Sequence, residues 1–204
     1  RSEETGFQAD HAGAVCRFGA GLPAPARDAL PDGCLDGHLP LDPARDLYGK
    51  LLFHRGRFCR LQGYRSLRAK ACVAETNREG RADWFGRMVP GTLLLGDPAA
   101  RDAAVHAIQA CIPHARLLPV GAERIVPGYL EAGRAYTISA REVLRRGDDF
   151  VYDVLIMAED GSAVESWEGL ELRKVEGIRA PSPWPGALLA PYLQRRLEEL
   201  VPCS

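Results

Sequence analysis

Three polar side chains with the right chemistry for proton transfer lie close together in the middle of the chain. Asp102, His106 and Gln109 are spaced at i, i+4 and i+7, which places them along one face of a helix. A carboxyl group beside an imidazole inside an apolar environment is costly unless each group satisfies the other. Two interpretations therefore stay open: a structural carboxylate–imidazole pair, or an acid–base pair that does chemistry.

The surrounding segment, 95–119, predicts a buried helix that begins near Asp97. An aspartate followed by a proline is typical of a helix start, because the carboxylate caps free N–H groups and Pro98 loses no hydrogen bond there. Small residues fill the interior of the segment and would let neighbouring elements approach closely: Ala99, Ala100, Ala103, Ala104, Ala107 and Ala110. We expect this helix to be the centre of the fold.

The elements around the helix predict an antiparallel sheet. One strand is expected before it, at 68–76, and four follow it in quick succession, at 117–126, 135–145, 150–158 and 164–175. The Asp160-Gly161 pair between the last two is a strong hairpin signal. One buried helix and one antiparallel sheet make an α+β layer pair. A sheet curled around a helix of small residues is the hot-dog fold, and that is the predicted fold class.

The remaining segments are less regular. Residues 7–18 are expected to form one strand, 19–46 a linker rich in Gly, Pro, Ala and Asp, and 43–53 a short helix. After a proline-rich stretch, an amphipathic helix is expected at 187–200, as part of a linker over 177–204. The chain begins at Arg1 rather than Met, so we expect it to be a piece of a longer protein.

Composition excludes several function classes. Among 204 residues the formal net charge is −1, which gives no electrostatic drive toward nucleic acid or an anionic membrane. The six cysteines form no CxxC pair, so we expect reduced thiols in a cytoplasmic protein. The sequence shows no signal peptide, no apolar run long enough to span a membrane and no glycine-rich phosphate loop. We expect no metal, nucleotide or flavin cofactor.

Several motifs occur in a fixed order between residues 47 and 174. They are Leu47-Tyr48 followed by Gly56 and Phe58, the DxxxH motif Asp102 to His106, Leu118-Pro119, Asp160-Gly161, and Leu172-Arg173. This set resembles the C-terminal half of a polyketide synthase dehydratase domain, in which two hot-dog folds are fused in tandem. The sequence of this region is most similar to the iterative enediyne-type synthases. The chain departs from the family pattern at one motif, because the usual YGPxF is reduced to Arg55-Gly56-Arg57-Phe58.

The resemblance implies a domain division and a reaction. It implies a C-terminal hot-dog at 47–176, with 1–18 as a possible last strand of a preceding half. The implied reaction removes water from a 3-hydroxyacyl thioester, carried on acyl carrier protein phosphopantetheine, to give the trans-enoyl thioester. Asp102 would be the general acid and His106 its hydrogen-bonding partner. Gln109, Phe58 and Pro119 would contact substrate.

In this family the base is a histidine of an HxxxGxxxxP motif on the first half. None of the five histidines here begins that motif, so we expect the isolated fragment to be inactive. We expect a dry tunnel to raise the pKa of Asp102, against the effect of the nearby helix N-terminus. The implied partners are acyl carrier protein and other synthase domains, with a possible homodimer.

Alternatives remain for the same residues. The domain could be a non-catalytic hot-dog scaffold, or a related isomerase or cyclase. His106, Cys111 and His114 do not have a usual zinc spacing, and Cys111 with His114 is a poor candidate for a nucleophile pair. Gln109 fits a structural hydrogen-bonding role. Four arginines are expected on a solvent-exposed face: Arg57, Arg60, Arg65 and Arg68. The alternative is that they contact the carrier protein.

Overall fold

Helix α2 and a seven-stranded antiparallel sheet form the body of the structure. The computed structural model describes residues 3–19, 37–80, 84, 93–178 and 184–201. The helices are α1 (Pro43–Asp46), α2 (Pro98–Gln109) and α3 (Gly186–Leu200). The strands are β1 (Leu61–Leu67), β2 (Ala71–Thr76), β3 (Ala115–Gly121), β4 (Arg124–Val126), β5 (Thr137–Arg146), β6 (Asp149–Met157) and β7 (Ala163–Gly177).

The strands are hydrogen-bonded in the order β1-β2-β5-β6-β7-β3, and β4 also pairs with β7. The hairpin β5–β6 turns at Gly147, and β6–β7 turns at Gly161, both with positive φ, which glycine adopts without strain. Strands β3 and β4 both lie along β7, so the single strand expected at 117–126 is one interrupted strand. The interruption follows Gly121.

Helix α2 lies in the hollow of this sheet. Its alanines at 99, 100, 103, 104 and 107 are buried, as is Ile108. They pack with inward residues of the strands, such as Ile138 of β5 and Tyr152 of β6. Small side chains let the helix approach the curled sheet closely, and the buried apolar surface supplies most of the stabilisation. This is the hot-dog fold, as the sequence predicted.

The structure corrects three expectations on local elements and adds one strand. No strand forms in the described part of 7–18; these residues have no neighbouring strand to pair with. The helix expected at 43–53 ends at Asp46, after one turn. The strand expected at 68–76 begins at Ala71, and β1 was not anticipated as a separate strand. Most of the linker expected at 19–46 lies outside the described residues.

The C-terminal helix α3 forms where expected and is docked on the sheet. Arg195 on its inner face is buried, and its guanidinium donates to the Tyr152 hydroxyl at 2.9 Å and to the Cys111 carbonyl at 3.0 Å. The same group forms an ion pair with buried Glu142. The helix is therefore anchored to the hot-dog unit by a buried polar network.

Within the described residues, no helix has both the length and the apolar character needed to cross a membrane. Four cysteines are described, Cys16, Cys59, Cys72 and Cys111, and all four are free thiols.

Candidate active site

Two ion pairs that involve fully buried carboxylates fix the start of helix α2. Arg60, just before β1, donates to Asp97 at 2.6 Å, and Asp97 also caps the helix by accepting from the Ala99 N–H at 3.0 Å. One turn later, Arg101 donates to Glu165 of β7 at 2.8 and 2.9 Å. Burying such charges is favourable only when they are paired and hydrogen-bonded, as here. Helix α2 is therefore held in one orientation at its N-terminal end.

The residue before this cap must be a glycine. Gly96 has a φ of +78°, and a Cβ atom there would lie 2.0 Å from the Leu130 carbonyl oxygen. The Asp97 N–H donates to that same carbonyl at 2.6 Å. This close approach fixes the entry of the chain into α2 and so the position of Asp102 five residues later.

Asp102 and His106 face each other on α2, as the DxxxH spacing predicts. His106 Nε2 lies 3.1 Å from Asp102 Oδ2. The distance suits a hydrogen bond, but the alignment is poor, and Nε2 has no well-formed hydrogen bond to any described residue. His106 is buried, whereas the Asp102 side chain is 32% exposed. Catalytic hydrogen bonds are often misaligned before substrate binds.

Tyr48 favours one tautomer of the His106 ring. Its hydroxyl oxygen accepts hydrogen bonds from the N–H groups of Arg60 at 3.0 Å and Leu61 at 3.1 Å. These two donors occupy both oxygen lone pairs, so Tyr48 has no lone pair left for a proton on His106 Nδ1, 3.3 Å away. The proton of Tyr48 can point to Nδ1 or to the Phe58 carbonyl oxygen at 3.4 Å. This arrangement favours the tautomer of His106 with the ring proton on Nε2, beside Asp102.

A second histidine joins this pair. His54, from the loop between α1 and β1, stacks on Phe53 at 4.1 Å between ring centroids, and its ring lies 3.9 Å from that of His106. His54 Nε2 is 3.7 Å from Asp102 Oδ2, so both imidazoles approach the same carboxylate oxygen. The available sequence signal was a histidine inside the segment that leads to Phe58. Neither His54 nor Tyr48 was predicted as a site residue.

His54, Asp102 and His106 line a cavity of about 230 Å³. Its polar lining comes from His54, Asp102, His106, Gln109 and Arg116. The rest of the wall is apolar and is formed by Leu51, Leu52, Phe53, Val105, Leu117, Leu118 and Pro119. A mostly apolar cleft with a few convergent polar groups is the usual form of a small-molecule site.

The three expected substrate contacts differ in their placement. Pro119 lies in the cavity wall, as does Gln109. The Gln109 amide donates to the Ile112 and Ala115 carbonyls and accepts from the Leu117 N–H, so it ties the end of α2 to β3. Phe58 is outside the cavity lining and packs on Trp84, with 5.3 Å between ring centroids.

The electrostatics of the site differ from the expectation for Asp102. Burial disfavours its charged form and is the largest single influence, but the attractions of His106 and then His54 together outweigh it, so the pKa of Asp102 lies below its usual value. Burial, followed by the charge of His106, lowers the pKa of His54, and Asp102 only partly opposes this. At neutral pH these shifts favour the carboxylate form of Asp102 and the neutral form of the His54 ring.

The other candidate groupings do not assemble. Within the described part of the chain, the only cluster with metal-ligand spacing is His54, Asp102 and His106, whose ligand atoms lie within 4.8 Å of one another. Two imidazoles and a carboxylate suit a divalent cation. His106 would have to offer Nε2, the atom to which Tyr48 directs the proton, so the donor set fits a metal poorly. Cys111 and His114 are not part of that cluster.

The four arginines expected on a solvent-exposed face differ in their burial and in their neighbours. Arg60 is buried against Asp97, which corrects that expectation. The guanidinium of Arg57 lies 5.5 Å from the ring centre of Trp84, and Arg65 is 3.8 Å from Glu75. Arg68 is exposed.

Comparison with protein families identifies the relatives of this chain. The family model of the polyketide synthase dehydratase N-terminal domain matches residues 26–181. The chain belongs to this polyketide synthase dehydratase family. The matched family model is described as the N-terminal domain. The DxxxH motif instead predicts the C-terminal half, so the assignment to that half stays a prediction. No curated protein matches the sequence significantly.

Solved polyketide synthase structures are among the matches of this dehydratase-family chain. The dehydratase domain of RzxB from Pseudomonas fluorescens is 15% identical, with a TM-score of 0.45, over 59% of this chain and 42% of that one. A dehydratase domain of a mycocerosic acid synthase-like polyketide synthase is 23% identical, with a TM-score of 0.47, over 59% and 43%. A trans-acyltransferase polyketide synthase enoyl-isomerase is 17% identical, with a TM-score of 0.47, over 58% and 46%. The chain thus spans less than half the length of these structures.

Proposed function

We propose that this chain is the C-terminal, acid-bearing hot-dog of a dehydratase domain in an enediyne-type iterative polyketide synthase. In this proposal Asp102 protonates the β-hydroxyl group of a 3-hydroxyacyl thioester as water leaves. The observation that carries the proposal is the Asp102–His106 pair, 3.1 Å apart, in the wall of a mostly apolar cavity. The thioester would arrive on acyl carrier protein, next to the other synthase domains, in the cytoplasm.

The chemistry needs an acid because hydroxide is a poor leaving group near neutral pH. A base outside this chain would take the α-proton, and the C–H electron pair would form the double bond. His106 would orient the carboxyl through its Nε2–H, which Tyr48 keeps in place. Gln109 and Pro119 would shape the wall for the acyl chain, and Phe58 would support the loop that carries His54.

The proposal is tested by Asp102→Asn in the complete synthase. Asparagine keeps the shape of the side chain but cannot deliver a proton, so we expect dehydration to fall by about 10² to 10⁴. Asp148→Asn, the same change in the exposed turn between β5 and β6, is the matched control and should leave dehydration unchanged. Unchanged conversion of a 3-hydroxyacyl carrier substrate by Asp102→Asn would remove Asp102 from the mechanism.

A scaffold role is the second candidate, and the lowered pKa of Asp102 favours it, because a carboxyl that stays ionised is a poor acid. In that case Asp102→Asn would leave product formation unchanged. A double-bond isomerase would be distinguished by conversion of a supplied enoyl carrier substrate, with no loss of water.

We propose that the reaction uses no resident metal or organic cofactor. The poor fit of the His54, Asp102 and His106 set to a cation supports this, because the proton of His106 occupies the atom that a metal would need. Elemental analysis and absorbance spectroscopy of the purified synthase test it. A stoichiometric transition metal that is lost in the His54→Gln variant would contradict the proposal.

A further inference from the structure

The acid of the proposed function needs a source of protons within the site. Asp102 is held as a carboxylate by two imidazoles, yet each turnover would consume one carboxyl proton. His106 has no direct contact with the solvent that would have to reload it, because its side chain is 1% exposed and its Nδ1 faces the Tyr48 hydroxyl at 3.3 Å. The second imidazole has no such constraint.

His54 is placed to exchange protons with both Asp102 and solvent. Its Nε2 lies 3.7 Å from Asp102 Oδ2, and its side chain is 22% exposed, against 1% for His106. Its Nδ1 is buried and has no hydrogen-bond partner among the described residues, so no contact there fixes the tautomer. An imidazole titrates in the range where a proton can be both taken up and released near neutral pH.

The other charged and titratable groups around His54 do not compete for this role. Cys59 donates its thiol to the His54 carbonyl, not to the ring, at 3.6 Å. Arg116 of β3 lines the same cavity and is ion-paired with Glu176 at 2.8 Å. Burial raises the pKa of Tyr48 well above the neutral range, so its phenol stays protonated.

We propose that His54 is the proton relay of this site and that it reloads Asp102 between turnovers. This inference rests on the proposed function. The imidazolium of His54 transfers its Nε2 proton to Asp102 Oδ2, which leaves a neutral imidazole and a carboxylic acid. The carboxyl gives this proton to the β-oxygen as the Cβ–O bond breaks and water departs. His54 then takes a new proton from solvent at Nε2, because its Nδ1 is buried.

The first test is a titration of the His54 ring in this chain by ¹H–¹⁵N NMR. We expect Asp102→Asn to lower the midpoint by about half a unit or more, because the carboxylate favours the imidazolium. His114→Gln is the control, since His114 packs on Tyr192, away from the cavity, and it should leave the midpoint of His54 unchanged. Equal His54 midpoints in the wild type and Asp102→Asn would overturn the relay.

The second test is the pH dependence of dehydration by the complete synthase carrying His54→Gln. We expect a loss of about tenfold at about pH 8, smaller than removal of the acid itself. The difference from wild type should narrow at about pH 6, because direct protonation of Asp102 by solvent is faster at the higher proton concentration. An equal loss at every pH would show a purely structural role and contradict the proposal. If the complete synthase with Asp102→Asn kept its dehydration activity although the same change lowered the His54 titration midpoint in this chain, the proposed function would fail independently of the contact between the two residues.

Discussion

The hydroxyl oxygen of Tyr48 lies 3.3 Å from Nδ1 of His106 and is the hydrogen-bonding centre of the site. One phenol group joins the loop after α1, the start of β1 and helix α2. It accepts from two backbone N–H groups, and both the imidazole Nδ1 and the Phe58 carbonyl oxygen lie within reach of its proton. The orientation of His106 beside Asp102 is thus coupled to the fold through a single oxygen atom.

Tyr48→Phe is expected to destabilise the domain and to release the His106 ring. The change removes an acceptor from the buried Leu61 N–H and leaves the Arg60 N–H with the Phe58 carbonyl alone, which costs about 1–3 kcal/mol in the free energy of unfolding. Urea unfolding measures the loss, and ¹⁵N NMR of His106 should show a mixture of tautomers. Tyr129→Phe, at an exposed position, is the control and should change neither. A single unchanged tautomer in Tyr48→Phe would contradict the assignment.

Arg195 and Arg196 provide a matched pair of variants on helix α3. Arg195→Ala removes the partner of buried Glu142 and leaves that carboxylate unpaired, which is expected to cost about 3–5 kcal/mol in the free energy of unfolding. Arg196→Ala breaks only an exposed pair with Glu199 and should cost about 1 kcal/mol or less. Hydrogen exchange should show loss of protection in α3 for the first variant alone. Equal effects of the two variants would show that α3 is not anchored through Arg195.

Stability is expected to fall as the pH drops below 6.5. Burial is the first cause that lowers the pKa of His54 and of His114 from the ordinary histidine value of 6.5. Between the lowered pKa and 6.5, the unfolded chain binds more protons than the folded chain, so the stabilisation is complete above 6.5 and is lost as the pH falls through that window. Urea midpoints at about pH 7.5 and about pH 5.5 measure it.

The matched variant for this prediction replaces both rings, His54→Gln with His114→Gln, and should flatten the pH dependence. The interval above about pH 5 excludes the carboxylates with lowered pKa values, such as Asp149 and Glu199, because these groups protonate at lower pH. A wild-type midpoint that is constant over this interval would refute the assignment of two neutral, partly buried imidazoles.

Local signals made helix α2 and the strands β5, β6 and β7 predictable. The Asp97-Pro98 start and the alanine spacing mark the helix, and the glycine turns at 147 and 161 mark the hairpins. The same spacing placed Asp102 opposite His106. These features depend on residues that are close in the sequence, and for this reason they can be read from it.

The missed features depend on contacts between distant residues. Arg60 pairs with Asp97 across 37 positions, so an arginine in a basic cluster is buried rather than solvated. Tyr48 contacts His106 across 58 positions, and His54 joins Asp102 only because the loop after α1 folds over the start of α2. No periodicity or motif spacing reports such an approach.

The edge of the sheet predicts self-association of this chain. Among the described strands, β3 has a hydrogen-bonded neighbour on one side only. It carries exposed Leu118 and Val120, and nearby Ile125 of β4 is also exposed. An edge with unpaired backbone groups and apolar side chains is a template for pairing. The described N-terminal residues 3–19 are almost all exposed and so do not bury this surface.

We therefore predict that two copies pair about a two-fold axis through β3, which joins their sheets and covers the apolar edge. Light scattering at micromolar concentration should give twice the 22.3 kDa of one chain. Val120→Lys places a charge on the edge and should yield the monomer. Val143→Lys, at a similarly exposed valine of the inner strand β5, should remain a dimer. A wild-type mass of one chain would rule out the paired arrangement, and dissociation by both lysine variants would rule out β3 as its edge.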